Sequence, residues 1–166
     1  MSNTFLRVDI LLQAIDKATA PIKALMGNQG RLAAEVNTLT ERQRTLQQVQ
    51  SNIDSYRNLA TQTRATGDAL KAAQDRVKTL ALQMRGTREP SAEMQQAFAA
   101  ARQSAAALKE EYGALREKKH ALQGSLRQSG VDTQNLASHQ RLLKRDLHAT
   151  SDALATQQKK LDAINQ

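Results

Sequence analysis

Residues Met94–Ser129 read MQQAFAAARQSAAALKEEYGALREKKHALQGSLRQS, and this stretch decides the fold. Alternating steps of four and three residues land on Met94, Phe98, Ala101, Ala105, Leu108, Tyr112, Leu115, Lys119, Leu122, Leu126 and Ser129. All but Lys119 and Ser129 are apolar or small, and the register does not slip. Two turns of α-helix take about seven residues, so these side chains fall on one narrow stripe of a long helix. A stripe that narrow cannot close a core by itself and needs another helix along its length. The expectation is an elongated helical body that spaces and holds partners rather than doing chemistry.

The flanking sequence repeats the pattern. From Arg31 to Arg85 the stripe runs Leu32, Val36, Leu39, Gln43 and Leu46, takes an extra three-residue step to Val49, and resumes through Ile53, Tyr56, Ala60, Thr63, Gly67, Leu70, Gln74, Val77, Ala81 and Met84. The repeated three is a stammer, which overwinds a supercoil locally. Few large side chains lie between Ala60 and Gln74, and a helical glycine costs about 1 kcal/mol relative to alanine. A weak point, hinge or break is therefore expected near Thr63–Asp68.

Gly86-Thr-Arg-Glu-Pro-Ser91 interrupts the helix. Gly86 suits a left-handed residue past a helix end, and Pro90 suits the first turn of the next helix. So short a link predicts antiparallel neighbours, with a kinked continuation as the alternative. The central helix ends at Ser129-Gly130. Asp132 can then accept from the free amides near Gln134 and Asn135, with Val131 and Leu136 placed for a hydrophobic staple. The register restarts at Leu136 and runs through Gln140, Leu143, Leu147, Thr150, Leu154, Gln157, Leu161 and Ile164 without a stop signal, which suggests a longer parent chain.

The N-terminal segment differs. Leu6, Val8, Ile10, Leu12 and Ala14 alternate with Phe5, Arg7, Asp9, Leu11 and Gln13, a period of two that favours a strand needing a pairing partner. The alternative is a short amphipathic helix docked on the helical body. Asp16–Pro21 reads as a cap or turn, and Gly27, Asn28 and Gly30 punctuate the start of the helical region. The expected fold class is thus all-α, with long coiled-coil-type helices joined by short turns and a short N-terminal β-strand. The expected division is 1–28 strand and turn, 29–86 long helix, 91–129 central coiled-coil helix and 132–166 third coiled-coil helix.

Composition bounds the function. Aromatics make up 2% of residues and the chain has no cysteine, so bulky core side chains are scarce, and disulfides and thiolate metal sites are ruled out. Full disorder is disfavoured because the apolar residues are periodic. A net charge of +8 and a pI near 10.1 point to a polyanion or acidic surface nearby, or to a solvated helix surface with interspersed acids. Only Arg116–Lys119 and Arg141–Arg145 approach basic clusters. No secretory signal is visible in Phe5–Ile15, which Arg7 and Asp9 interrupt, and no run approaches the roughly 18 apolar residues of a membrane span.

No catalytic, cofactor-binding or metal site is expected. His120, His139 and His148 lack helical metal-ligand spacing and read as surface residues. The carboxylates read as i, i+4 partners of nearby Lys and Arg. No phosphate loop, nucleophile elbow or zinc spacing occurs. Lys119 and the stripe glutamines restrict register if they face a partner helix, and the long stem of Lys119 favours reaching water.

The opening LRVDILLQAIDKATAPIKAL (Leu6–Leu25) resembles the N-terminus of tape measure proteins of contractile-tailed bacteriophages and prophages, of the temperate enterobacterial type. TGDALKAAQDRVKTLALQM (Thr66–Met84), the turn at Arg88–Pro90 and GVDTQNLASHQRLLKRDL (Gly130–Leu147) follow in that family's order. The resemblance implies a structural assembly protein: several parallel copies inside the tail tube, setting tail length while tube subunits polymerise around them. It implies the tail tube protein and tail assembly chaperones as partners, residence in the virion, and passage through the host cytoplasm during assembly. Family members are several times longer and carry hydrophobic segments, so this chain matches an N-terminal part. From the missing motifs, and because a rod lacks a concave pocket, no enzyme activity, cofactor, small-molecule substrate or membrane contact is expected for this segment. Two further readings compete: a basic coiled-coil adaptor gripping nucleic acid, which scarce aromatics and mixed charge disfavour, and a helical chaperone or scaffold.

Overall fold

The structure, a computed structural model, describes residues 27–164. The expected strand at Phe5–Ala14 and the turn at Asp16–Pro21 lie outside the described residues. Within them the chain is all-helical: α1 Asn28–Gly86, α2 Ala92–Gln128 and α3 Leu136–Ile164, with no strand among the described residues.

The chain divides into two compact units, and α1 contributes to both. Tyr56–Leu122 forms one unit, an antiparallel pair of the second half of α1 with α2. Gly67 lies beside Tyr112, while Ala73 and Arg76, further along α1, share a cleft with Ala97, Ala101 and Ser104 near the start of α2. The covered residues of α2 follow the four-three stripe: Met94, Phe98, Ala105, Leu108, Tyr112, Leu115 and Lys119 are half-buried and Ala101 is buried. On α1 the stripe residues are half-buried except Thr63, which is buried, and Gln74, which is exposed. Lys119 thus keeps half of its side chain on the seam instead of lying wholly in water.

The described part of the other unit comprises 27–55 and 123–164. Gln140, near the start of α3, donates to Asp54 Oδ1 at 3.2 Å. Residues of α3 from Ala137 to Ser151 lie across a groove from Gln43, Gln47 and Gln50, so α3 runs antiparallel to α1 here. Its apolar core holds Leu46, Val49, Ile53, Leu126, Val131 and Leu143. Both ends of the three-residue step, Leu46 and Val49, sit in this core.

No break occurs at Thr63–Asp68, where the sequence predicts a weak point; α1 is continuous through it. The Thr63 hydroxyl donates to the Leu59 carbonyl at 2.6 Å, so a buried polar group is satisfied inside its own helix. Gly67 is held because a Cβ there would come within 3.0 Å of the Tyr112 ring. The missing side chain is the notch that receives the ring.

The ends of the helices differ from expectation in instructive ways. Gly86 is the last residue of α1 and is not left-handed. Thr87 terminates the helix, its hydroxyl donating to Gln83 O at 2.8 Å and its amide to Met84 O at 3.3 Å. Pro90 lies before the first turn of α2 and not in it; Ser91 caps the helix, its hydroxyl accepting from the Met94 amide at 3.3 Å. At the end of α2, Gly130 adopts φ 80°. The Val131 amide donates to Leu126 O at 2.8 Å and the Gly130 amide to Arg127 O at 3.0 Å, the paired bonds of a Schellman cap. Leu126 and Val131, the apolar pair of that motif, are both buried. Val131 therefore finishes α2.

Asp132 does not start a helix. Its Oδ1 accepts from the Gln134 amide at 2.9 Å and its Oδ2 from Asn135 Nδ2 at 3.0 Å, forming a turn one step earlier. Asn135 O accepts from the His139 amide at 3.2 Å, so α3 begins at Leu136.

Gly130→Ala is expected to lower stability by about 1–2 kcal/mol, because a side chain disfavours the left-handed backbone. Gly124→Ala, inside α2 with open space at its Cβ, is expected to raise it by about 1 kcal/mol. Urea unfolding midpoints of the two variants should move in opposite directions; a Gly130→Ala midpoint at or above the wild type would refute the cap.

Candidate functional site

The residues singled out in sequence separate into different environments. His120 and His148 are exposed, as expected, but His139 is buried at 8% exposure. Its Nε2 accepts from the Asp132 amide at 3.3 Å. The loop that folds back over the start of α3 covers this ring, which is why helical position alone misplaces it. Among the described residues no three His, Cys, Asp or Glu side chains gather as a metal site would require, and no helix is long and apolar enough to cross a membrane. The ion pairs shown are Lys78–Asp75 at 3.7 Å and Arg145–Asp146 at 3.2 Å, neither at the expected four-residue spacing.

Of the two basic clusters, Arg141 and Lys144 line the groove of about 750 Å³ beside α1, together with His148 and the amide side chains of Gln43, Gln47 and Gln50. Arg145 is turned to Asp146. In the hairpin of α1 and α2, Arg116 stacks over the Tyr112 ring at 5.8 Å, and Lys119 lines a groove of about 430 Å³. That groove is also lined by Ala60, Thr63, Gly67, Leu70, Arg64 and Lys71, with Asp68 the one acid.

The groove exposes a regularity that the clusters conceal. Arg64 and Lys71 belong to a row on α1, Arg57, Arg64, Lys71, Lys78 and Arg85, one cation at every seventh residue. On α2, Arg102, Lys109 and Arg116 repeat the spacing. Each of the eight immediately follows a seam residue, and each is exposed. The pairing of Arg116 with Tyr112, which sits against Gly67 beside Arg64 and Lys71, puts both rows on the same flank of the hairpin. Arg102 lies over Phe98 at 5.8 Å in the same way that Arg116 lies over Tyr112. Neighbouring charge runs draw the eye to Arg116–Lys119; counting cations at the seam's own period would have found this row.

Two carboxylates are tuned by helix-end geometry. The Gln134 amide holds the Asp132 carboxyl below the usual carboxylate range, with help from Asn135, His139 and Arg127 and against partial desolvation. The Ser91 hydroxyl does the same for Glu93 at the start of α2. Neither lines the grooves described above.

No family model, curated protein or solved structure matches the chain.

A carboxyl held low in the folded chain contributes stability that is present above the unfolded value, near 4, and lost as pH falls through the folded value. Asp132→Ala should therefore lower the thermal midpoint at pH 7, and the gap to wild type should close as pH drops below about 4. Melting both proteins by circular dichroism across pH 2–7 checks this; a gap independent of pH would refute the charged turn.

Proposed function

We propose that this chain is the N-terminal part of a bacteriophage tail tape measure: a structural protein whose helical length sets tail length and templates tube polymerisation. The observation that carries the reading is the run of long helices covered along four-three stripes, led by the 59 residues of α1. This burial pattern supports helices of coiled-coil type, the form in which several parallel copies would lie side by side. An α-helix converts residue count to distance at about 1.5 Å per residue, so α1 alone corresponds to about 88 Å. The resemblance of the opening segment and of Gly130–Leu147 to that family supplies the specific identity.

In this reading the chain works inside the tail tube, meets tail assembly chaperones in the host cytoplasm, and later leaves the tube. Antiparallel pairing of α1 with α2 would belong to the free or pre-assembly form, since a ruler must lie extended. The cations would face an acidic tube wall closely enough to hold and weakly enough to release. No catalytic step, cofactor or small-molecule substrate enters this function.

A second reading, a basic adaptor gripping nucleic acid, draws on the two cation rows. It requires DNA affinity that falls steeply with salt as phosphate contacts release counterions.

In-frame deletion of 28 residues from α1 in the parent gene, four whole seven-residue repeats, is expected to shorten tails by about 42 Å. Electron microscopy of the tails measures it. Tails of unchanged length would defeat the ruler.

A further inference from the structure

The cation rows are out of keeping with the hairpin that carries them. Flanking positions of a helix pair ordinarily hold opposite charges, which set partner and orientation. Here both helices place cations on one flank, where like charges repel across the seam. Opposing carboxylates on that flank are few: Asp68 lines the groove, and Asp75 already pairs with Lys78 at 3.7 Å. The row on α1 repeats about every 10.5 Å and extends about 42 Å from Arg57 to Arg85. Beneath it the seam is only half-covered: of the stripe residues in this unit, Thr63 and Ala101 alone are buried.

We propose that this flank is the docking surface for an acidic α-helix of a partner protein, one bearing carboxylates at every seventh residue. A third helix would lie along the groove and cover what remains exposed of Ala60, Gly67 and Leu70. Its carboxylates, recurring with the same 10.5 Å period, would meet the cations one for one along the row. The repulsion that weakens the free hairpin then becomes attraction that selects the partner.

Other occupants fit less well. A second copy of this chain lacks the complement: nowhere in its sequence do more than two carboxylates follow one another at seven-residue spacing, as Asp68 with Asp75 or Glu110 with Glu117. A nucleic acid duplex winds its phosphates around an axis, so they do not follow a straight row of cations along one helix. The aromatic faces of Phe98 and Tyr112, which could stack on bases, are already covered by Arg102 and Arg116. The proposal does not depend on the ruler function; any acidic helical partner would satisfy it.

The test uses the full chain and a fluorescent 35-residue helical peptide with leucine on its stripe and glutamate on both flanks at every seventh position. A control peptide has the same composition with the glutamates scrambled, and a 20-base-pair DNA duplex is the third probe. Anisotropy titrations at 150 mM salt are expected to show binding of the patterned peptide at least tenfold tighter than of either other probe. Arg64→Glu with Lys71→Glu should weaken it at least tenfold, while Arg44→Glu with Lys160→Glu, exposed cations of the other unit and an equal change of charge, should alter it less than twofold. The Arg64→Glu/Lys71→Glu variant should also melt at a higher temperature, because it relieves the repulsion, so weaker binding would not reflect unfolding. Arg64→Gln with Lys71→Gln provides the neutral version of the same comparison. Equal binding of patterned and scrambled peptides, or equal losses from the two charge reversals, would overturn the proposal by reducing the surface to net charge. Tighter binding of the duplex, lost on Arg64→Glu/Lys71→Glu, would overturn it in favour of a nucleic-acid surface.

Discussion

An apolar stripe only two positions wide in every seven residues must be covered by another helix, and the described structure follows from that requirement. Such a stripe offers too little surface to fold on itself, so each helix is stable only against a neighbour. Fully burying a side chain such as Leu46 or Ile53 is worth about 1.5–3 kcal/mol, and the core around them is short. The hairpin of α1 and α2 has still less: alanine, glycine and threonine occupy much of its seam, so the helices approach closely but bury little apolar area each. Threonine is tolerated there because Thr63, though buried, returns its hydroxyl to Leu59 O.

Small seam residues also determine where the charges lie. Close approach of two thin helices leaves the positions beside the seam accessible, and these are the positions of Arg57, Arg64, Lys71, Lys78 and Arg85. Arg102 and Arg116 use their guanidinium planes twice, covering the aromatic rings of the same helix while keeping charge toward solvent. A net charge of +8 thus becomes an ordered array and not a diffuse coat. Ordered charge at a fixed period suits recognition of a partner with the same period, which the proposed acidic helix would supply.

The turns show how few residues reset direction. Gly130 alone takes a left-handed backbone among the described residues, and one Schellman cap hands the chain from α2 to the Asp132 turn. His139 then ties that turn to α3 by accepting the Asp132 amide. The side chains of Asp132, Thr133, Asn135 and His139 each find a hydrogen-bond partner in this corner, beside buried Leu126 and Val131.

Periodicity alone determined that the described residues are helical, where the long helices run and which residues their covered faces carry, because burial repeats with the same four-three spacing as the apolar residues. The Ser129-Gly130 stop was equally legible, since only glycine takes a left-handed backbone without strain. The corners were not. Gly86 stays helical because Thr87 provides the stop, and Asp132 forms a turn because its carboxylate accepts from Gln134 and Asn135; hydrogen bonds between neighbours decide these, and several arrangements satisfy the same residues. Tertiary structure alone decided that Gly67 is a notch for Tyr112 and not a break, that His139 is buried, and that two rows of cations share one flank. Those facts depend on which helix lies beside which and in what direction, information that a one-dimensional repeat does not contain.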